Sequence, residues 1–314
     1  MGQIAFMFPG QGSQQVGMGK EFYDQYDDVK AIFKRANELL NKDIEKLMLE
    51  GPQEELTETE NAQPALLLSS YIVLTLLAKE NIKPAVAVGH SLGEYSALVA
   101  AEALTLEDAL PLVQRRGQLM EQAFPKGQGT MAAVLGLTEE EIAQTLKQLP
   151  AEEIVDIANL NCPGQIVISG TQLGVEQAVP LLNEAGARRV IPLNVSGPFH
   201  SRLMKRANED FSKTLAKTPF QRGKIPVYAN VTAAPVTDET EIKDLLQQQM
   251  YSPVRFAQSI QHMIDAGVNV FVEVGHGRVL SGLVKKINRN VHTFSIQNIK
   301  SMEKFIDWYK EAFA

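Results

Sequence analysis

The strongest constraint on the fold is a change in the order of predicted elements near residue 130. Before it, short apolar runs alternate with helical patterns. IAFMF (Ile4 to Phe8) and AVAVG (Ala85 to Gly89) read as buried strands, and helical spacing appears around Val29 to Leu40, over Pro64 to Ala78 and in SLGEYSALVAA. Thr105 is placed to cap the next helix, which Pro111 should kink. From about Thr130 the order becomes the strand MAAVL, a helix opened by a Thr138/Glu141 capping box, the strand IVDIANL, a turn at NCPG, the strand IVIS, a second helix and the strand RVIPLNV. This is the ferredoxin-like βαββαβ order. Alternation then resumes with a helix over Ser201 to Lys217, a strand near VYANV, the strand VNVFVEV and a GHG loop opening another helix. Strands alternating with helices imply a parallel sheet covered on both faces. The expected organisation is an α/β core from residues 1–125 and 196–314, interrupted by an inserted subdomain over 126–195.

Charge and cysteine content narrow the function class. The 314 residues carry a formal net charge of -7, which argues against a broad nucleic-acid footprint, since phosphate neutralisation needs a surplus of Lys and Arg on one face. The single cysteine, Cys162, has no intramolecular disulfide partner and no second thiolate for zinc, so a reducing, cytoplasmic setting is expected, with Cys162 read as a packing residue. MGQIAFMFPGQGS lacks the basic and long apolar regions of a signal peptide, and Pro64 to Ala78 is shorter than a membrane span and holds Ser69, Ser70 and Thr75. A buried core helix is expected there, with no membrane partner.

The Gly-rich loop after the first strand fails as a phosphate cradle. A dinucleotide fingerprint starting at Gly10 and Gly12 meets Gln15 where the third glycine belongs, and a P-loop ending in Gly19-Lys20 meets Gln14. It is either a flexible strand-to-helix loop or a segment whose N–H groups approach an anion closely. Gly89-His90-Ser91-Leu92-Gly93 fits G-x-S-x-G in the context that motif needs, a strand before the serine and a helix after it. Small residues on either side permit a sharp turn that projects Oγ, while the following N–H and helix N-terminus favour negative charge. A serine nucleophile needs a base. Of five histidines, His90 should point to the other face of its strand, His262 sits on a helix, and His292 lies near a terminal strand. His200, in SGPFHSRLM at the opening of a helix whose dipole would favour neutral imidazole, ranks first, and His276 second.

Arg116 stands on an apolar stripe with Ala109, Leu112, Val113, Leu119, Met120 and Ala123. Burying a guanidinium costs several kcal/mol unless an anion pairs with it. Its partner is either an internal carboxylate or a ligand's carboxylate.

FPGQGSQ (Phe8 to Gln14), GHSLGEYSAL (Gly89 to Leu98), QRRGQLM (Gln114 to Met120), NCPGQIVISG (Asn161 to Gly170), SGPFHSRLM (Ser196 to Met204) and SPVRF (Ser252 to Phe256) stand in this order in one chain. Together they resemble the malonyl-CoA:acyl carrier protein transacylases of bacterial type II fatty acid synthesis, over essentially the whole chain. The resemblance implies an α/β-hydrolase-like core with a ferredoxin-like insertion, and a malonyl transfer from malonyl-CoA to the phosphopantetheine thiol of acyl carrier protein through a malonyl-serine. It further implies Ser91 as nucleophile, His200 as base, the N–H groups of Gln11 and Leu92 as oxyanion hole, and Arg116 as receptor for the malonyl carboxylate. The main-chain carbonyl at Gln249 would orient the histidine, and Phe199 would crowd a C2 branch. No metal or bound redox cofactor is implied. Related acyltransferases serving polyketide synthases share these motifs; a serine esterase or an inactive scaffold fits less well, given Arg116 together with Ser91 and His200. This chain has Gly275-His276-Gly277 where the family more usually has Gly-Pro-Gly. Carriers of this kind are acidic, so a local basic patch is required of a chain that is itself negative, and Lys285, Lys286 and Arg289 are the expected candidates.

Overall fold

The computed structural model describes residues 2–125 and 127–313; Met1, Ala314 and Lys126, the expected first residue of the insertion, lie outside the described residues. Among the described residues ten strands form two sheets: β1 Gln3–Phe8, β2 Val86–Gly89, β3 Gly129–Leu135, β4 Val155–Cys162, β5 Gln165–Thr171, β6 Arg189–Pro192, β7 Val227–Tyr228, β8 Pro235–Val236, β9 Val268–Val274 and β10 His292–Ile296. The larger sheet has the order β10-β9-β1-β2-β7-β8. All its pairings are parallel except β7 with β8. The smaller has the order β4-β5-β3-β6 and is antiparallel throughout. That second order is the ferredoxin-like one produced by two βαβ halves folding back on each other.

Continuous apolar runs become strands here because helices cover both faces. Along β1, Phe6 and Phe8 enter the cluster that holds Leu67 and Leu92, while Ala5 and Met7 enter the opposite one with Phe256, Ile260 and Leu283. Successive side chains on a strand point to opposite faces, so one five-residue run serves two cores. The apolar window extends into the helix Thr59–Lys79, which is long and apolar enough to cross a membrane but lies mostly buried in the protein as a core helix. The helix Leu106–Gln122 packs beside it and runs unbroken through Pro111, with Thr105 accepting from the Asp108 N–H. Pro111 forfeits the bond that an N–H there would give the Glu107 carbonyl without ending the helix.

The insertion is tied to the core next to the site. A parallel bridge between Asn159 and Val254 brings β4 against the segment preceding the helix Phe256–Asp265: Leu160 N–H donates to Val254 O at 2.9 Å, and Val254 N–H to Ala158 O at 2.8 Å. Arg202 adds a second tie, its N–H donating to Asp156 Oδ2 at 2.8 Å and its Nε to both carboxylate oxygens at 3.0 Å. Between the two sheets lies a groove of about 720 Å³ that His200, Tyr251 and Pro253 line from the core and Leu146, Pro150 and Ile157 from the insertion.

Candidate active site

Ser91 sits where β2 ends and the helix Gly93–Ala100 begins, with φ 52°, a left-handed conformation that a non-glycine residue rarely adopts. The flanking glycines make the turn possible by their lack of a side chain. A Cβ on Gly89 would stand 1.8 Å from the Gly93 carbonyl carbon, and one on Gly93 would stand 2.0 Å from the Phe8 carbonyl oxygen. Strand, elbow and helix are thus packed backbone to backbone, and the turn projects Oγ into a cavity of about 140 Å³ shared with Gln11, Met120, Met131, Phe199 and His200.

Ser91 Oγ lies 2.7 Å from His200 Nε2, and His200 Nδ1 lies 2.8 Å from the main-chain oxygen of Gln249. A carbonyl only accepts, so Nδ1 carries the proton and Nε2 presents its lone pair to the serine hydroxyl. His200 is itself left-handed at φ 59°, lying in the turn before a short 3₁₀ segment at Arg202–Met204 rather than on an α-helix, which begins only at Lys205. The helix dipole expected to keep the imidazole neutral is therefore not the cause. Burial is the first cause and the nearby charge of Arg116 the second; together they push its pKa down to about 3, against a smaller opposing effect of the Gln249 carbonyl.

Arg116 is 1% exposed. Its Nη1 donates to Gln63 Oε1 at 2.8 Å, and its Nη2 donates to Gln249 Oε1 at 2.9 Å and to Ser91 Oγ at 3.2 Å. Its Nε has no partner, and the guanidinium carbon lies 5.4 Å from the centre of the Tyr95 ring. Among the described residues no carboxylate reaches ion-pair distance of it. Of the two partners open from the sequence, the internal acid is absent at contact distance. Glu94, also buried, stands behind the Gln249 amide and accepts from its Nε2 at 2.8 Å; desolvation raises the Glu94 carboxyl to about 7 despite that bond and the Arg116 charge.

Among the described residues neither the Gln11 nor the Leu92 N–H donates to a protein acceptor, whereas the Ser91 N–H donates to Asn230 Oδ1 at 2.8 Å. Phe199 is buried against the cavity. His90 lies just past the end of β2, with Nε2 2.8 Å from Asn161 Oδ1 on β4 and its ring centre 5.7 Å from that of Phe256, in the cluster opposite the one that holds Leu92 and Phe199. His276 is placed apart from the serine, with Nε2 3.4 Å from Gln15 Oε1. His262 donates toward or accepts from nothing at the site, its Nδ1 lying 2.8 Å from Ala233 O. Cys162 is a buried free thiol raised by desolvation. No group of three or more His, Cys, Asp or Glu among the described residues is arranged to hold a metal. Sequence reasoning passed over Gln63, Glu94, Asn230 and Asn161, all buried; the available signal was a polar side chain inside an apolar run, as Glu94 is in SLGEYSALVAA.

A family model for the acyl transferase domain matches residues 5–306. Among related proteins, the malonyl CoA-acyl carrier protein transacylase of Bacillus subtilis (strain 168) is 50% identical over 312 residues, covering 99% of this chain and 98% of that protein. The protein of the same description from Staphylococcus aureus (strain MRSA252) is 47% identical over 304 residues, covering 96% and 98%. Among solved structures, an acyl carrier protein S-malonyltransferase from Vibrio cholerae superposes with a TM-score of 0.94 at 43% identity, covering 96% of this chain and 99% of that one. A malonyl-transacylase in complex with its type II polyketide synthase acyl-carrier protein gives 0.95 at 36% identity, covering 97% and 99%.

The depressed pKa of His200 has a consequence for the pH profile. A base active as neutral imidazole and titrating near pH 3 stays competent throughout pH 5 to 8, where an ordinary histidine, with a pKa of about 6.5, would be protonated as the pH falls. Rapid-quench formation of the acyl-enzyme should therefore show no histidine inflection in that range, and any step near pH 7 should disappear in Glu94→Gln. A step near pH 6.5 that survives Glu94→Gln would contradict the depressed value.

Proposed function

The chain belongs to the malonyl-CoA:acyl carrier protein transacylases of bacterial fatty acid synthesis, and from that membership we propose that Ser91 is the residue that carries the malonyl group between its two thiol partners. The overall reaction is ping-pong transfer from malonyl-CoA to the phosphopantetheine thiol of acyl carrier protein through an acyl-serine. In the first half, Ser91 Oγ attacks the thioester carbonyl while His200 Nε2 takes its proton; the carbonyl oxygen, now negative, is received by the N–H groups of Gln11 and Leu92. His200 returns the proton to the departing CoA sulfur. In the second half the same nitrogen takes the proton of the carrier thiol as the sulfur attacks the ester, and gives it to Oγ as the Ser91 C–O bond breaks, which frees Ser91 and restores neutral His200. The observation that carries this reading is the 2.7 Å contact between Ser91 and a histidine whose far nitrogen is fixed by the Gln249 carbonyl.

Arg116 is the receptor of the malonyl carboxylate. Its support is the absence of an internal acid: a charge held only by two amide oxygens and a hydroxyl is left for an anion brought by the substrate. In the resting site it also donates to Oγ, favouring alkoxide character as the proton leaves. Phe199, which lines the cavity, would crowd a branch at C2 of the acyl group. Residues 1–125 and 196–314 form the catalytic core and 126–195 the inserted subdomain; the separate four-stranded sheet β3 to β6 supports that division.

Acyl carrier protein is a partner of the chain, and for its docking the candidates are Lys285, Lys286 and Arg289. All three are exposed; Lys285 and Lys286 end the helix Val279–Ile287, while Arg289 falls in the turn after it and not on the helix. Lys286 also reaches Gln165 Oε1 at 3.1 Å, across to the insertion.

Three outcomes follow. Intact-mass measurement after mixing with malonyl-CoA should show a malonyl adduct that Ser91→Ala abolishes, and His200→Ala should slow its formation by ~10²–10⁴ while His276→Ala stays within a few-fold; an adduct of unchanged yield on Ser91→Ala ends the assignment. Arg116→Ala should lose about 2–5 kcal/mol of transition-state stabilisation with malonyl-CoA and little with acetyl-CoA, because only the former loses a charge-assisted partner. Parallel loss of both activities with a lowered Tm would make Arg116 structural instead. Charge reversal at Lys285 and Lys286 should raise KM for the carrier several-fold, weaken its salt dependence and spare malonyl-CoA hydrolysis; unchanged carrier kinetics would move docking elsewhere, with Arg202 and Lys205 at the groove beside His200 the next to test.

A further inference from the structure

A serine held at φ 52° is strained and keeps that conformation only if its surroundings impose it. The glycines at 89 and 93 permit the turn but do not enforce it. Enforcement requires something that grips the peptide groups of the turn, and one buried side chain bridges the two that lead into the nucleophile. Asn230 Nδ2 donates to the Gly89 carbonyl at 2.7 Å, and its Oδ1 accepts the Ser91 N–H at 2.8 Å. A single planar amide therefore spans the elbow from the last residue of β2 to the serine. With the opposite amide orientation, donor would face donor and acceptor face acceptor, so the assignment of oxygen and nitrogen is fixed by the bonds themselves.

Asn230 is also anchored well enough to act as a fixed point. The register Ala87↔Val227 and Val88↔Tyr228 sets β7 beside β2, so that the chain leaving β7 passes the chain leaving β2. The Asn230 N–H donates to Glu94 Oε2 at 3.0 Å, in the helix that follows the serine, and the Asn230 carbonyl accepts the Arg255 N–H at 2.9 Å. Asn230 is 0% exposed. Its backbone is thus held at both polar groups, and its side chain at both ends. Occupying the Ser91 N–H has a further effect: that donor is withdrawn from the cavity, and on the elbow the Leu92 N–H remains to face a developing oxyanion.

We infer that Asn230 is a positioning residue for acyl transfer, a strap that holds the Ser91 elbow in its strained conformation and aims Oγ at His200 and the carbonyl carbon of the thioester. The inference rests on Ser91 being the nucleophile. Removing the strap leaves the Gly89 carbonyl and the Ser91 N–H to find other partners, and the elbow relaxes by a fraction of an ångström; misplacements of that order at a reacting group cost up to ~10²-fold in rate. Asn230 makes no bond to Arg116 itself and meets it only through Gln249, whose Nε2 donates to Asn230 Oδ1 at 3.3 Å, so its direct hold is on the elbow and not on the guanidinium.

The test is single-turnover acylation of full-length Asn230→Ala and Asn230→Asp by malonyl-CoA and by acetyl-CoA, with the final adduct counted by intact mass. Asn230→Asp keeps the shape and the acceptor for Ser91 but turns an oxygen toward the Gly89 carbonyl, and serves as the second probe if the alanine variant does not fold. Expected are a rate constant lowered by about 10–100-fold, adduct still approaching one per chain, and an unchanged malonyl to acetyl ratio. A residue that merely stabilises the fold would lower Tm and the fraction of chains acylated while leaving the rate constant of the folded fraction alone, and that result overturns the inference. So does a ratio that shifts as in Arg116→Ala, which would place Asn230 in carboxylate recognition. If Ser91→Ala itself still forms the adduct, the nucleophile assignment fails first, and that outcome is read separately from the Asn230 rates.

Discussion

A positive charge buried without an acid in contact is the constraint around which the site is arranged. Arg116 is enclosed beneath Ser91 with amide oxygens from Gln63 and Gln249 as its partners, and leaving a guanidinium so uncompensated costs several kcal/mol that the rest of the core must offset. That charge reaches both Ser91 and His200. It donates to Oγ, and it adds to burial in keeping the imidazole neutral, while a main-chain carbonyl and not a carboxylate fixes the tautomer. An acid at the Gln249 position would have neutralised Arg116 and raised the histidine pKa at the same time. Glu94 contributes a carboxyl nearby, but with the Gln249 amide interposed and with its own pKa raised by burial.

The parallel sheet explains how such distant residues meet. β1 lies between β9 and β2, and β2 lies beside β7, all running the same way, so the loops that leave them emerge at one edge. From these loops come Gln11, Ser91, Asn230 and His276. This is the carboxyl edge at which open α/β sheets place their ligand crevices. The insertion adds to the enclosure: β4 is joined to the core through Val254, its Asn159 lines the cavity, and its Asn161 bonds His90. Two left-handed residues, Ser91 and His200, stand opposite one another there, and both are gripped by Gln249, which bonds the serine carbonyl through its side chain and the histidine through its main chain.

Much of this was legible in the residues. The βαββαβ order, the uninterrupted apolar strands, the capping box at Thr138 and the elbow glycines are local patterns whose physics is complete within a few positions. Arg116 stood out because a helical stripe places it among apolar neighbours, which is again a matter of spacing. A local rule falls short at His200: a helix start predicts a neutral imidazole from the helix dipole, but the α-helix begins only at Lys205 and burial is the cause instead.

The sequence by itself determined which residues have the chemistry: a serine between glycines after a strand, a small set of histidines, and an arginine on an apolar stripe. Tertiary structure alone decided which of them act together. Ser91 meets His200 across 109 positions, Asn230 across 139 and Gln249 across 158. Contacts of that span leave no periodicity in the chain, because their register is set by the order of strands in the sheet and by the packing of the insertion. The protonation of His200 and Glu94 was decided there too, since desolvation depends on what surrounds a group in space and not on its neighbours in sequence.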